Sequence, residues 1–144
     1  MAIECRLVQN ESEREECFAI RHTVFVEEQR LFDGTDRDEH DSKAVHIAAF
    51  QGGRIIGTVR VYEEKPGLWF GGRLAVLRGF RGRAGRLLVE KAVEIVRGER
   101  AERFLAYIQM KNVPFFRRGG WVEAGEILDF HGSPHQLMEA NVKE

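Results

Sequence analysis

The sequence contains few residues of the kinds that mark cross-linked, metal-binding or membrane-spanning proteins. Only two of its 144 residues are cysteine, Cys5 and Cys17, and no Cys-x-x-Cys or Cys/His spacing indicates a zinc site. No stretch approaches the roughly 18 apolar residues of a membrane span, and the N-terminus lacks an apolar signal region. We therefore expect two reduced core thiols, no bound metal, no membrane association and a cytoplasmic location.

Net charge is nearly absent as well, at −1 with histidine neutral, so no overall field indicates nucleic acid as a partner. The charges are nevertheless unevenly placed along the chain. Residues 11–41 hold eleven carboxylates against four Lys or Arg, whereas residues 73–86 hold five arginines and no carboxylate. The acidic segment is most simply a solvated face, and near a cleft it would instead attract a cationic amine.

The length of 144 residues is that of one domain, which buries roughly 68–70 % of its unfolded surface, enough for one core and one cleft. Apolar periodicity predicts the order β-α-loop-β-β-β-α-β-α-β-β, an α/β or α+β fold with mixed strand directions. Ser12 is predicted to begin the first helix, with Glu15 completing a capping box. The predicted strands and helices are Ile3–Val8, a helix from Ser12, Val45–Phe50, Ile55–Tyr62, Gly67–Val76, Gly85–Val96, Phe104–Gln109, Asn112–Arg118, Trp121–Phe130 and Pro134–Met138.

The most informative stretch extends from Leu74 to Arg86. A short apolar strand, Leu74–Leu77, is followed by an Arg- and Gly-rich turn and then by an amphipathic run, Leu87–Val96. Such a turn presents backbone N–H groups at the positive end of a helix, and glycine lets a ligand approach the backbone, so the layout suits phosphate. An ordinary strand-to-helix turn with solvated arginines is the alternative interpretation.

Two motifs in the second half resemble the GNAT acyltransferase superfamily. The segment Arg81-Gly82-Arg83-Ala84-Gly85-Arg86 resembles its phosphate turn, Gln/Arg-x-x-Gly-x-Gly/Ala, although Ala84 and Arg86 stand at the two glycine positions when no gap is introduced. The segment from Asn112 to Trp121 is similar to the superfamily's Asn…Phe-Tyr-x-x-x-Gly-Phe ending. The resemblance covers nearly the whole chain. It implies that residues 1–144 form one GNAT-type domain, with a central, mixed, mostly antiparallel twisted sheet of about seven strands and helices on both faces.

The resemblance further implies that acetyl-CoA is the co-substrate, that no metal takes part, and that the amine of a small molecule attacks the thioester directly. The donor arm would lie between two splayed parallel strands, here Leu74–Leu77 and Phe104–Gln109. A homodimer is the common assembly in the superfamily. The residues implied to bind acetyl-CoA are Leu74, Ala75, Val76, Arg81, Gly82, Arg83, Ala84, Gly85, Arg86, Asn112, Phe115 and Phe116.

Catalytic groups are less clearly indicated. Phe116 stands where many GNAT enzymes have a tyrosine that protonates the departing thiolate, and Tyr107 on the neighbouring strand is a substitute donor or simply an edge tyrosine. Glu28 and His46 are candidate bases. A lone histidine in an apolar strand is otherwise a hydrogen-bonded core residue, and Glu28 is otherwise solvated. Further candidates by residue type alone are Asp38, Glu39 and His135.

The first half has a narrower resemblance, to the acyl-homoserine-lactone synthases, which share the GNAT fold. The positions that match that family's arginines, aromatic residue and aspartates are Arg21, Phe25, Asp38, Asp41, Arg60 and Arg73. Phe70 replaces a carboxylate of that family and the chain is short for it, so we interpret the likeness as shared architecture. In a partly buried cleft the charged groups would pair with one another, which leaves two interpretations, a structural ion network and a substrate-recognition site.

The main prediction is an N-acetyltransferase that uses acetyl-CoA and a small amine. The first alternative is a GNAT-fold domain that binds acyl-CoA or a protein partner without turnover. The second alternative is homoserine-lactone-type transfer from an acyl carrier protein, with S-adenosylmethionine as the acceptor.

Overall fold

The chain alternates strands and helices in the order that its apolar periodicity predicts. The computed structural model describes residues 2–143. Its elements are β1 (Ile3–Leu7), α1 (Glu11–Arg21), a π-helical segment (His22–Glu28), a 3₁₀ turn (Glu39–Ser42), β2 (Val45–Gln51), β3 (Arg54–Lys65), β4 (Leu68–Val76), α2 (Arg83–Gly98), β5 (Arg103–Gln109), a second 3₁₀ turn (Met110–Asn112), α3 (Val113–Arg118), β6 (Val122–Phe130) and β7 (Ser133–Ala140). The π-helical segment continues directly from α1.

The seven strands form one sheet in the order β1-β2-β3-β4-β5-β7-β6. Every neighbouring pair is antiparallel except β4 and β5, which are parallel. Parallel neighbours need a crossover connection, and α2 supplies it here. The predicted sheet, mixed and mostly antiparallel, is therefore confirmed.

The parallel pair β4 and β5 separates part-way along its length. Leu68 pairs with Arg103 and Gly71 pairs with Ala106, and the pairing ends there, although β4 continues to Val76. Beyond this point the backbone groups that the two strands turn towards each other have no strand partner in the described part of the chain. The result is a V-shaped opening in the middle of the sheet.

A β-bulge in β4 accompanies this separation. Thr58 of β3 pairs with Ala75, whereas Arg60, two residues further along β3, pairs with Gly72, three residues back along β4. The bulged part of β4 includes Arg73, which has a φ of +54°. This left-handed conformation costs a non-glycine residue on the order of 1–3 kcal/mol. Because a bulge bends its strand, it accounts for the divergence of β4 from β5.

Helices cover both faces of the sheet, as predicted. α2 packs on one face, where Leu88 joins Phe104 in the larger core cluster. α1 and the π-helical segment pack on the opposite face around Cys17, Ile20 and Val24. These three positions recur at the spacing i, i+3 and i+7 of one helix face, and all three side chains are buried.

The start of α1 differs from the prediction. Asn10 is the N-cap, and its side chain accepts a hydrogen bond from the backbone N–H of Glu13 at 2.9 Å. The predicted capping box of Ser12 and Glu15 is wrong, because Ser12 already lies in the first turn of the helix. Asparagine is among the most favourable N-cap residues, so the helix begins earlier than the serine suggested.

The two cysteines are free, and burial raises the pKa of the Cys5 thiol to about 11. Within residues 2–143, no helix combines the length and apolar character needed to cross a membrane. No group of three His, Cys, Asp or Glu in that same range is arranged to hold a metal ion.

β6 forms one edge of the sheet and is exposed along most of its length. Its pairing with β7 shifts register between Glu123 and Ile127. Val122 and Leu128 are also exposed, so this edge presents apolar side chains outside the core.

Substitution of Leu88 tests the contribution of α2 to the core. Leu88 is 0 % exposed, so Leu88→Ala should lower the free energy of unfolding by about 2–5 kcal/mol, through lost burial and an unfilled cavity. Urea denaturation followed by circular dichroism measures the change. The matched control is Leu7→Ala, at a leucine that is 45 % exposed, and it should shift the same quantity by about 0.5 kcal/mol or less. Equal losses in the two variants would contradict the place of Leu88 in the core.

Candidate active site

A cavity of about 470 Å³ occupies the V between β4 and β5. It reaches both faces of the sheet, since Val89 and Phe116 line it on the side of α2 and α3, and Phe32, Tyr62 and Tyr107 line it on the side of α1. Most of its lining side chains are apolar or aromatic. Two molecules that enter from opposite faces would therefore meet in the gap between the strands.

The predicted phosphate turn forms the N-terminus of α2. Gly82 is the N-cap residue with a φ of +87°, and no side chain among the described residues caps the first N–H groups of the helix. A Cβ atom built on Gly82 would meet no atom within 4 Å, so the space over the turn is open. Ala84 and Gly85 are buried and anchor the turn to the core. The Ala84 N–H donates to the Phe80 carbonyl at 3.1 Å. A phosphate group fits at this turn because no described side chain caps its N–H groups and because the helix dipole favours an anion.

Arg81 is the arginine of this turn that the structure holds in place. It donates from Nε to the Val76 carbonyl at 2.8 Å and forms an ion pair with Glu28. Arg78 lies 3.6 Å from the same carboxylate. The hydrogen bond from Arg81 holds the pKa of Glu28 below its ordinary value. Glu28 therefore connects the π-helical segment to the turn, and it does not line the cavity in the V.

Basic side chains dominate a second, more open cleft beside this turn. Its charged lining residues are Glu28, Arg30, Arg78, Arg81 and Lys111. Arg83 and Arg86 are exposed, and Arg86 pairs with Glu90 at 3.2 Å on the surface of α2. An anionic group at the N-terminus of α2 would thus have several cationic side chains nearby.

The residues predicted to contact the donor arm lie on both sides of the V. Leu74 and Asn112 line the cavity, from β4 and from the turn before α3 respectively. Ala75 and Val76 are buried at the end of β4. The arrangement brings the end of β4 and the start of α3 to the same opening.

α3 places its two adjacent phenylalanines in different surroundings. Phe115 lies beside the phosphate turn, with its Cζ 3.8 Å from a Cβ built on Gly85. Phe116 is buried, lines the cavity and packs edge-on against Trp121 at 5.2 Å between ring centroids. Phe116 has no hydroxyl, so it cannot donate a proton from this position.

A buried network of ion pairs forms the polar wall of the cavity. Its members are Arg21, Asp36, Asp38, Asp41, Arg60 and Arg73. Arg21 donates to Asp36 at 2.7 Å and to both oxygens of Asp41 at 2.8 and 3.0 Å. Arg60 donates to both oxygens of Asp38 at 2.6 and 2.8 Å, and to Asp41 at 2.8 Å.

Arg73 joins this network to the bulge of β4. It donates to the Asp36 carbonyl at 2.9 and 3.1 Å and to the Asp38 carboxylate at 3.2 Å. Burial alone would raise the pKa of Asp38 and of Asp41, but hydrogen bonds from arginine outweigh it, and each pKa lies below its ordinary value. Three arginines thus neutralise three aspartates, so the acidic segment offers no free negative charge at these positions to attract a cationic amine.

The contacts support the interpretation of these residues as a structural ion network. Asp36 has to be added to the predicted members, and Phe25 does not belong to them. Asp36 is 2 % exposed and was missed by the sequence analysis. The available signal was that three buried arginines require a third carboxylate, and Asp36 lies in the acidic segment. Phe25 takes no part in the ion pairs, because it is buried and packs edge-on against Phe32 at 6.3 Å.

The structure does not bring His46 to the cavity. His46 is buried on β2, packs edge-on against Phe18, and donates from Nε2 to the Asp41 carbonyl at 3.0 Å. Burial lowers the pKa of its ring. These contacts are those of a hydrogen-bonded core histidine that supports the ion network.

Two other candidates do line the cavity, Tyr107 and His135. Tyr107 follows Ala106, the last residue of β5 that pairs with β4, and is 42 % exposed. His135 lies on the adjacent strand β7, opposite Gln109, and its Nδ1 donates to the Ser133 carbonyl at 2.8 Å. Because Nδ1 carries the hydrogen in that contact, the neutral ring leaves Nε2 as a proton acceptor. The sequence singled out His135 by residue type alone.

The model of the Acetyltransferase (GNAT) family matches residues 8–121. The chain is 29 % identical over 135 residues to the uncharacterized N-acetyltransferase YjcF of Bacillus subtilis, with 92 % of this chain and 95 % of that protein covered. Escherichia coli ElaA is similar in structure, with a TM-score of 0.86 at 21 % identity over 97 % of this chain and 100 % of that one. The CoA-dependent acyl-homoserine lactone synthase BjaI has a TM-score of 0.78 at 20 % identity, over 98 % and 83 % of the two chains.

The ion network should make stability depend on pH. Because the pKa of Asp41 lies below its ordinary value, its ion pairs stabilise the fold above about pH 4 and are lost as the pH falls through the folded-state pKa. Asp41→Asn should therefore lower the free energy of unfolding at pH 7 by about 3–5 kcal/mol. It should also reduce the loss of stability on acidification. Urea denaturation at several pH values measures both effects.

The control for this variant is Glu123→Gln. Glu123 pairs with Arg117 at the surface, so its substitution should leave stability at pH 7 nearly unchanged. If Asp41→Asn were no more destabilising than this control, the ion pairs of Asp41 would not stabilise the fold as predicted.

Proposed function

The chain belongs to the GNAT acetyltransferase family, and we propose that it transfers an acetyl group from acetyl-CoA to the amine of a small molecule. Acyl transfer is the activity of this family, so the chain is an acyltransferase. The observation that carries the finer proposal is the N-terminus of α2, which no described side chain caps and which follows β4 after the turn 77–82, while Val89 and Ala92 of the same helix line the cavity in the V.

The N-terminus of α2 would hold the pyrophosphate of the donor. An anion at a helix N-terminus gains typically ~0.3–1 kcal/mol, and up to ~2 kcal/mol where it is partly buried. Arg81 adds a cationic group held in place by Glu28 and the Val76 carbonyl, whereas Arg83 adds an exposed one. Together these groups favour a doubly charged ligand at this turn.

The backbone of β4 beyond Gly71 would receive the thioester. There the N–H groups turned towards β5 have no strand partner within residues 2–143, so they are available to a carbonyl oxygen. Donors that are fixed in advance where negative charge develops contribute roughly 10²–10³ each to the rate. Leu74 and Asn112 would confine the donor arm at the same opening.

His135 would act as the base for direct attack. The amine nitrogen bonds to the thioester carbonyl carbon, its proton passes to Nε2 of His135, and the C–S bond breaks as the tetrahedral intermediate collapses. A positioned base typically contributes ~10²–10⁴ in rate. The departing thiol has a pKa near ~8.5 by analogy with cysteine, so it leaves with little help although Phe116 cannot donate. Tyr107, at the V, is the available proton donor.

Removal of two arginines from the phosphate turn tests the donor site. Arg81→Ala combined with Arg83→Ala should raise the KM for acetyl-CoA about 10-fold, or ~1.4 kcal/mol, because two cationic groups near the pyrophosphate are lost. Initial rates of CoA thiol release at varied acetyl-CoA measure KM and kcat. Arg54→Ala combined with Lys65→Ala removes two exposed charges elsewhere and is the matched control. Unchanged kinetics in the first variant would refute this placement of the pyrophosphate.

Substitution of His135 tests the base. His135→Gln should lower kcat/KM by about 10²-fold or more, while KM for acetyl-CoA and the thermal unfolding midpoint stay close to wild type. His22→Gln, at an exposed histidine, is the control. If kcat/KM of His135→Gln is as close to wild type as that of the control, His135 is not the base.

A further inference from the structure

A row of aromatic rings crosses the cavity on the α1 face of the sheet. The ring of His40 stacks on Tyr62 with centroids 4.2 Å apart, Tyr62 is 6.3 Å from Phe70, and Phe70 is 6.2 Å from Tyr107. Neighbouring ring planes differ by 10°, 19° and 16°. All four rings line the cavity. The chemistry proposed above does not require such a surface.

Strand register explains why the rings form a row. Tyr62 of β3 pairs with Phe70 of β4, and Phe70 pairs with Leu105 of β5, two residues before Tyr107. Because side chains alternate between the faces of a strand, these rings project from the same face. Tyr107 comes directly after Ala106, the last residue of β5 that pairs with β4. The row therefore ends at the V, where the thioester would lie.

Two further rings line the same cavity from other parts of the chain. Phe32, in the segment after the π-helical segment, and Phe130, at the end of β6, lie 5.4 Å apart with planes at 63°. The Arg73 guanidinium lies 4.5 Å from the centroid of Phe32 and so connects this ring to the ion network. Aromatic side chains from the sheet, the acidic segment and the last hairpin thus surround one site.

The charges around these rings are largely neutralised. Asp38, Arg60 and Arg73 line the cavity and form ion pairs with one another. Asp129 also lines the cavity, and its carboxylate accepts a hydrogen bond from the Gly132 N–H at 3.2 Å. A single exposed carboxylate suits one ammonium group and gives little attraction to a polycation.

We propose that the acceptor is an arylalkylamine, a primary amine on a short alkyl arm that carries an aromatic ring. This inference rests on the acetyl transfer proposed above and specifies its acceptor. The aromatic body packs on Tyr62 and Phe70, and the alkyl arm brings the nitrogen past Tyr107 to the V, where His135 lines the same cavity. Aromatic pairs with centroids about 4.5–7 Å apart interact more favourably than their buried area alone accounts for. The site therefore selects an aromatic body over an aliphatic one of equal size.

A matched pair of amines tests this selection. 2-Phenylethylamine and 2-cyclohexylethylamine share a carbon skeleton and differ only in the ring, and spermidine is the polycationic comparison. With acetyl-CoA as donor, kcat/KM should be roughly 2- to 10-fold higher for phenylethylamine than for cyclohexylethylamine, the effect of one ring pair. Spermidine should be the poorest acceptor. Equal kcat/KM values for phenylethylamine and cyclohexylethylamine, or a higher kcat/KM for either non-aromatic amine, would overturn the proposal.

Variants of the ring row locate the selection. Phe70→Leu and Tyr107→Leu should each reduce the aromatic preference, and Phe70→Leu should leave KM for acetyl-CoA unchanged. Tyr107→Phe should retain the preference because it keeps the ring, although loss of the hydroxyl proposed as proton donor should lower kcat for every amine. Phe50→Leu is the matched control, since Phe50 lies on β2 outside the cavity and packs against Arg6 at 4.1 Å. An aromatic preference that survives in both leucine variants of the row would place the acceptor elsewhere and overturn the proposal.

The experiments distinguish a wrong acceptor class from a wrong proposed function. If only the acceptor class is wrong, acetyl-CoA still binds in calorimetry, and cyclohexylethylamine or spermidine is acetylated with a kcat/KM at least equal to that of phenylethylamine. Absence of both acetyl-CoA binding and all turnover would contradict the proposed function, and the acceptor assignment with it. If Phe70→Leu changes the selectivity between acetyl-CoA and hexanoyl-CoA but not that between amines, the rings bind the acyl group and the acceptor assignment is wrong.

Discussion

Three arginines beneath the acidic segment each require a carboxylate, and this requirement organises the region around the cavity. A buried guanidinium without a partner costs several kcal/mol, so Arg21, Arg60 and Arg73 hold residues 36–41 against the sheet. The same contacts hold Arg73 in its left-handed conformation, with a φ of +54°, at the bulge where β4 diverges from β5. The opening in the sheet thus depends on a neutral and largely buried set of charges.

The parts of the fold that could be predicted are those that residues close together in the sequence determine. The β2–β3 hairpin follows from two apolar runs around Gly52 and Gly53, and the buried face of α1 follows from helical spacing. The N-cap was misassigned because Asn10 and Ser12 both satisfy the residue preference, and only backbone conformation separates them. The divergence of β4 from β5 involves Arg73 and Asp36, which are 37 residues apart. A pattern of neighbouring residues therefore cannot predict it.

The same distinction applies to the candidate site. The turn at the N-terminus of α2 was identifiable because consecutive residues supply its backbone groups, its glycine and its charges. Asp36 was missed and His135 was named by its residue type alone, because their positions depend on where a loop and a hairpin contact the sheet. His46 and His135 both lie in strands, but pairing with Arg60 puts His46 beneath α1, whereas pairing with Gln109 puts His135 at the V. Which histidine faces the cavity is therefore a property of strand register.

The exposed edge strand β6 bears on how the protein behaves when it is concentrated. An unpaired edge with apolar side chains such as Val122 and Ile127 is a template on which another chain can add a strand. The register shift between Glu123 and Ile127 interrupts the regular ladder that such growth needs. Glu126 also places a negative charge on this exposed strand, where a second copy would bring like charges together. An irregular, acidic edge of this kind disfavours fibre-like growth from one molecule to the next.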